Sequence, residues 1–285
     1  MNLNNIFTAA TATPFLCDES YIEIEPCSEL KPYIKCFWGS KNPYNKLKEN
    51  IPSRWLIIPD TCMDIIFNVS FTENRICNSF CALDERSYYI NHENDKDELV
   101  SDFAIRFYAW GAAFFTDNSL KQTKNSVYDV DCFFPKLKRE IEPMLFDKVD
   151  IYDRVTLVQN YLLNSINRKR HNRIVNDSLS EILLNKGNIR ADRLAQSVFT
   201  SNRQLERLFN EYIGISPKKL SSLIRYQCLW QEALFAENLN LLDMAEKYGY
   251  SDQAHLLNDF KKFHGMTISE ARKYAYTNVA FLQYK

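Results

Sequence analysis

The sequence predicts an α+β protein of two domains: an N-terminal β-rich, barrel-like domain with helices, then an all-α domain carrying two helix-turn-helix motifs. Three observations lead there. The chain has 285 residues, enough for two domains of roughly 100–200 residues each. Short aromatic and β-branched runs end near residue 110, and helical periodicity replaces them. Charge is unevenly divided as well. Residues 167–285 hold 18 Lys+Arg against 12 Asp+Glu and residues 1–166 hold 17 against 24, so the total of −1 averages +6 and −7.

Taken in order, residues 1–20 read as an N-terminal arm; MNLNNIFTAATATPF has no basic n-region, so no secretory signal is expected. Residues 21–166 form the first domain. YIEIEP, YIKCFWG, RWLIIPD, MDIIFNVS and SDFAIRFYAWG have strand composition, and Pro26, Pro32, Pro43, Pro52 and Pro59 keep the strands short. That pattern suits a small barrel or sandwich. PKLKREIEPMLFD and IYDRVTLVQNYLLNSI read as helices, the second with Val155, Val158, Leu162 and Ile166 on one face and Asp153, Arg154 and Asn160 on another. Residues 167–177, NRKRHNRIVND, are basic and aperiodic and read as a linker.

From 178 to 276 the pattern is helical. ADRLAQSV and NRQLERLFNEYI flank Phe199–Thr200–Ser201, and a short helix, a three-residue turn and an amphipathic helix make a helix-turn-helix. Leu194, Ala195, Leu205, Leu208 and Phe209 face inward, Ser201 caps the second helix, and Asn202, Arg203, Glu206 and Arg207 project outward. Polar groups on the first turns of such a helix suit major-groove base edges. The arrangement recurs: Met244 and Ala245 match Leu194 and Ala195, Ser251 matches the Ser201 cap, and Leu256 and Phe260 face inward, with Gln253, His255 and Asn258 exposed. Gly214 stops one helix and Pro217 starts the helix between the two motifs. At residues 217–236 it spans about 30 Å, close to the repeat of the major groove. Leu223, Tyr226, Trp230 and Leu234 form its apolar stripe, and Lys218 and Arg225 are phosphate candidates.

LAQSVFTSNRQLERLFNEYIGISPKKL and MAEKYGYSDQAHLLNDFKKFHGMTISEAR resemble the DNA-binding domain of AraC/XylS-family transcription regulators. The resemblance implies seven helices over about 178–276, reading helices starting near 202 and 252, and binding to promoter DNA. It places base contacts at Asn202, Arg203, Glu206 and Arg207, then Gln253, Ala254, Leu257 and Asn258. Phe199 departs from a Gly common in the first turn, and Ile268 from a Pro common after Thr267. WLIIPDTCMDIIFNV is similar to the Pro-Asp-Gly-Cys-x-Asp signature of one branch's sensory domain, with Thr61 for Gly, and FAIRFYAWGAAFF to its Arg-Phe-x-x-Gly segment. This resemblance implies a cupin-like sensor without identifying a ligand.

Trp38, Trp55 and Trp110 are candidates to line an effector pocket, with Asp60, Asp64 and Arg106 as its polar groups; core packing and a structural Asp–Arg pair compete with that reading. A first domain that only dimerises or recruits RNA polymerase, and a thiol redox sensor, are the alternatives. The eight cysteines include no CxxC pair, which reads as reduced cytoplasmic thiols. Four histidines at 92, 171, 255 and 264 have no zinc spacing. No metal, cofactor or enzymatic activity is expected, since GxSxG, Walker A and GxGxxG signatures and the Pro-Cys-His-Arg run of related repair methyltransferases are absent. No apolar run is long enough to span a membrane. The expected partners are double-stranded promoter DNA and a small-molecule effector, with RNA polymerase and a second copy as further candidates. A tail follows from 277 to 285.

Overall fold

The computed structural model describes residues 3, 6–9, 21–46, 54–91 and 97–277. Most of the expected arm and all of the expected tail after residue 277 lie outside them, and of Arg54 and Trp55 only the strand position is described.

Nine strands occur among the described residues: β1 (Tyr21–Ile24), β2 (Ile34–Ser40), β3 (Tyr44–Asn45), β4 (Arg54–Ile57), β5 (Cys62–Ser70), β6 (Arg75–Cys81), β7 (Tyr88–Asn91), β8 (Leu99–Tyr108) and β9 (Val127–Tyr128). The main sheet runs β1-β2-β8-β5-β6-β9 with β3 also on β8, and β4 pairs β7 in a second, two-stranded sheet. The central ladder pairs β5 with β8 antiparallel, Asp64 opposite Arg106 and Ile65 opposite Ile105. Side chains alternate along a strand, so this register separates two faces. Met63, Ile65, Phe67, Val69, Phe103, Ile105 and Phe107 are fully buried on one, where Phe107 stacks on Phe134 at 6.1 Å. Asp64, Ile66, Asp102, Ala104 and Arg106 share the other.

Helices α1 (Pro135–Ile141) and α2 (Ile151–Ser165) cover the apolar face. One expectation fails here. Arg154, assigned to the polar face of α2, is fully buried. Its guanidinium donates to the Ser101 hydroxyl at 2.7 Å and to the carbonyls of Lys148 and Leu145, and burial lowers its pKa to about 10. The helix lies against both the sheet and the preceding loop, a curved surroundings that a single-helix period does not encode.

The C-terminal region holds α3 (Arg173–Leu184), α4 (Ala191–Ser197), α5 (Asn202–Tyr212), α6 (Pro217–Phe235), α7 (Leu241–Lys247), α8 (Gln253–His264) and α9 (Ile268–Thr277). The stretch 167–177, read as a linker, is instead a 3₁₀ turn at Arg168–Arg170 followed by the first turn of α3, capped by the Asn172 side chain. Arg170 turns inward over the Tyr212 ring at 4.6 Å. Too few apolar residues fall in that first turn to register as a period, although Val175 and Leu179 are buried. A single apolar cluster then runs from Ile105 and Phe107 through Leu162 and Leu179 to Leu208 and Ile224. Phe7 and Ala9 join it.

Candidate nucleic-acid interface

Both helix-turn-helix units form from their local sequence. In the first, Ser201 accepts from the Gln204 amide and caps α5, whose Leu205, Leu208 and Phe209 are buried with Leu194 and Ala195 of α4. Asn202, Arg203, Glu206 and Arg207 are exposed, and Arg207 is steadied by Gln204 at 3.2 Å. In the second, Met244, Ala245, Leu256 and Phe260 are buried. The cap of α8 is Asp252 rather than Ser251: its carboxylate accepts from the His255 amide at 2.7 Å. The Ser251 hydroxyl instead bonds the Asp252 carboxylate and the His255 imidazole, because the chain enters α8 one residue later than in the first unit. Gln253, Ala254, His255 and Asn258 are exposed and Leu257 is half-buried.

Helix α6 joins the units. It is capped by Ser216, has Pro217 in its first turn and spans 19 residues, about 28 Å. Leu223, Tyr226, Trp230 and Leu234 are all buried along it. Lys218 is exposed. Arg225 is not a free surface cation: it lies over the Tyr250 ring at 4.4 Å and 3.6 Å from the Asp259 carboxylate. Tyr250 precedes α8 and also donates to Asp259, so Arg225 ties α6 to the second reading helix. Its charge is engaged by the fold, which sequence spacing alone did not reveal.

In the N-terminal domain the polar sheet face gathers four of the six effector candidates. Arg106 is 2% exposed and donates to both Asp64 oxygens, at 2.9 and 3.1 Å. Trp38 donates to the same carboxylate at 2.9 Å and lies under the guanidinium at 5.8 Å. Burial opposes the Arg106 charge, but Asp64 and Asp60 hold its pKa well above the usual value. Asp60 accepts from the Cys62 amide and is pushed up to about 6 by burial. One guanidinium nitrogen of Arg106 is buried without a hydrogen-bond partner among the described residues. Asp84, which interacts electrostatically with Asp60, is likewise raised by burial to about 6; composition offered no sign of its part. Trp110 belongs elsewhere: it stacks on Tyr108 at 4.9 Å and donates to the Pro32 carbonyl, within the apolar core.

Residues 194–274 match a family model described as a helix-turn-helix domain. The C-terminal domain is of the AraC type. Residues 22–129 match a model described as a domain of unknown function, DUF6597. No curated protein matches the chain. Among solved structures, the chain is similar to a transcriptional regulator with an AraC-type DNA-binding domain from Chromobacterium violaceum, at 24% identity over 35% of this chain and 90% of that one, TM-score 0.33. It is similar to the C-terminal domain of AraT, a response regulator from Geobacillus stearothermophilus, at 25% identity over 36% and 85%, TM-score 0.33. ToxT from Vibrio cholerae is similar over 83% of this chain and 98% of that one at 10% identity, TM-score 0.39. Among the described residues no helix is long and apolar enough to cross a membrane.

Two departures from the AraC-type pattern have local explanations. Ile268 takes the first helical position of α9 and is buried. Thr267 and Glu270 form a reciprocal capping box around it, each side chain accepting from the other's amide. Phe199 keeps the left-handed conformation of the turn, φ +54, as does Gly249, φ +68, at the corresponding place in the second unit. Its side chain is 96% exposed. A non-glycine residue in that region carries about 1–2 kcal/mol of strain, and the unfolded-state entropy of glycine offsets part of any relief. Phe199→Gly is therefore expected to raise thermal stability by up to about 1 kcal/mol. A lowered Tm would show that the ring stabilises the fold by a contact.

Proposed function

We propose that this chain is a cytoplasmic transcription regulator that reads two adjacent promoter segments through α5 and α8 and responds to a small molecule at the polar face of its N-terminal domain. The observation carrying the DNA reading is the pair of capped helices whose first turns expose Asn202, Arg203, Glu206 and Arg207, and Gln253, Ala254, His255 and Asn258. The single helix α6 supports both units. Arg203 and Arg207 suit guanine edges and Asn202, Gln253 and Asn258 adenine edges; Lys218 suits a phosphate, and Ser251 and Leu257 flank the second contact surface. Selection of bound sequences by the purified chain, followed by footprinting, tests this. Two protected major-groove segments one turn apart are expected. Arg203→Ala should weaken binding to the selected site by about 1–3 kcal/mol and relax one base position; unchanged affinity would remove Arg203 from the reading set.

The effector reading rests on the buried, incompletely paired Arg106 beside Asp60, Asp64 and Trp38. Asp60 and the nearby Asp84 are each adjacent in sequence to a contact with the DNA-binding domain. Pro59, next to Asp60, accepts from Gln227 of α6 at 2.7 Å. Glu85, next to Asp84, pairs with Lys219 of α6 at 3.2 Å. A ligand that reorganises the Arg106 site would thus act on α6 directly. A purely dimerising N-terminal domain, or one that only contacts RNA polymerase, gives no reason to bury an incompletely bonded guanidinium. Thiol sensing is disfavoured because burial raises the pKa of Cys36 and Cys81 to about 12 and that of Cys228 to about 11, and the thiolate is the reactive form. Cys77 and Cys81 lie four residues apart on β6, about 13 Å, too far to join to each other.

A further inference from the structure

Two loops of the N-terminal domain meet the C-terminal ends of both reading helices. At α5, the Leu120 amide donates to the Glu211 carbonyl at 3.0 Å. Gly214, which ends that helix, sits so close that a Cβ there would lie 2.6 Å from the Thr123 hydroxyl and 2.8 Å from the Leu120 carbonyl oxygen. At α8, the Ser87 amide donates to the Phe263 carbonyl at 2.9 Å. A Cβ on Gly265, which ends that helix, would lie 2.5 Å from the Ser87 hydroxyl. The two loops are also fastened to each other. Asn125 accepts from the Glu85 amide at 2.7 Å through its side chain and donates its own amide to the Leu83 carbonyl at 2.9 Å. Glu85 then reaches Lys124 in one loop and Lys219 at the start of α6.

A short chain of contacts therefore runs from Gly214 through residues 120–125 and 83–87 to Gly265, a second connection between the units besides α6. A lone helix fixes the distance between two units along its axis but resists bending and twisting poorly compared with two separate supports. We propose that residues 83–87 and 120–125 act as a brace that sets the relative placement of α5 and α8 on DNA, so that the N-terminal domain determines which separation of half-sites the chain accepts. Ser87 and Asn125 are positioning residues in this scheme; neither belongs to the set of side chains assigned to base edges. The inference rests on the DNA-binding reading above.

The test uses the full-length chain and a DNA library in which the two selected half-sites are separated by a varied number of base pairs. Ser87→Pro removes the amide that bonds Phe263, and Asn125→Gly removes the side-chain acceptor of the Glu85 amide, one of the bonds that fasten the loops, while accepting the positive φ of 54 at that position. The wild-type chain should prefer one separation sharply. Both variants should bind an isolated half-site as wild type does, yet lose about tenfold in affinity at the preferred separation and accept neighbouring ones. If Ser87→Pro fails to fold, Asn125→Gly carries the test alone. A wild-type spacing profile in a folded variant overturns the proposal, whether its affinity is unchanged, uniformly lower or uniformly higher. A wild-type chain that selects no sequence would overturn the DNA-binding reading itself, an outcome separate from an unaltered profile.

Discussion

Arg106→Ala is expected to destabilise the N-terminal domain by about 3–5 kcal/mol, the range for removing one partner of a buried ion pair. Asp64, 13% exposed, would keep its bond from Trp38 but lose both guanidinium bonds. Asp60 would also lose the nearby positive charge that counteracts its desolvation. Replacing both partners, Arg106→Met with Asp64→Leu, should cost less than the single change, because the Asp64 carboxylate no longer stays behind without its guanidinium and only Asp60 loses a countercharge. Urea unfolding of the full chain and the two variants measures both values. A single-variant cost below about 1 kcal/mol would mean that solvent reaches the pair, in the range of exposed ion pairs. The double variant also separates stability from sensing: on the proposed reading it folds and binds DNA but gives no response to an effector.

Acid should weaken the second helix-turn-helix unit selectively. His264 is 2% exposed, bonded through Nδ1 to the Tyr226 hydroxyl at 2.8 Å and stacked on Phe260 at 4.9 Å. Burial pushes its pKa down to about 3, against about 6.5 in an unfolded chain. The unfolded state therefore takes up the proton first as pH falls. The stabilising contribution is complete above about pH 6.5 and declines by about 1.4 kcal/mol per pH unit below it, until the folded-state value near 3 is reached. Asp60 and Asp84 have the opposite sign. Their folded values of about 6 exceed the ordinary carboxylate value of 3.8, so their contribution is present at low pH and lost as pH rises through 6. Between pH 6 and 4 these two groups favour the N-terminal domain while His264 disfavours the unit built around α8. Hydrogen exchange of the α8 amides against those of β5 and β8 resolves the two trends. His264→Phe should flatten the α8 dependence; an unchanged slope would assign it to another group.

Residues 1–166 carry a net charge of −7 and residues 167–285 one of +6. In the structure they are docked. The ion pair Lys219–Glu85 crosses the junction, but it is accompanied by backbone bonds such as Ser87 to Phe263 and by an apolar cluster common to both halves. Leu56 of β4 and Ile58 just after it pack with Leu223 and Trp230 of the second helical core. The acidic excess is thus a property of the N-terminal surface more than the force that joins the halves.

The helical half was legible because its information is local. Caps, turn residues and a 3.6-residue apolar period lie within a few positions of each other, and Leu194, Ala195, Leu205, Leu208, Met244, Ala245, Leu256 and Phe260 are all buried as their spacing requires. Even the first turn keeps its left-handed residue with Phe199 in place of Gly. The strand-rich half was legible only in part. β1, β2, β4, β5 and β8 coincide with strongly apolar or aromatic runs, whereas β6, RICNSFC, and β7, YYIN, were not distinguished. A strand is stabilised by the neighbours it pairs with, so its own residues carry less of the signal.

By itself, then, the sequence determined the two helix-turn-helix units, the side chains they expose and the helix that separates them, since each depends on contacts a few residues apart. Only the tertiary structure decided that Arg154 and Arg225 are held by the fold, that Trp110 lies apart from Trp38 and Arg106, and that 167–177 begins a helix. It alone brought residues 83–87 and 120–125 to the ends of both reading helices. Such contacts join residues up to about 180 positions apart, and no local period records which distant backbone amide will meet which carbonyl.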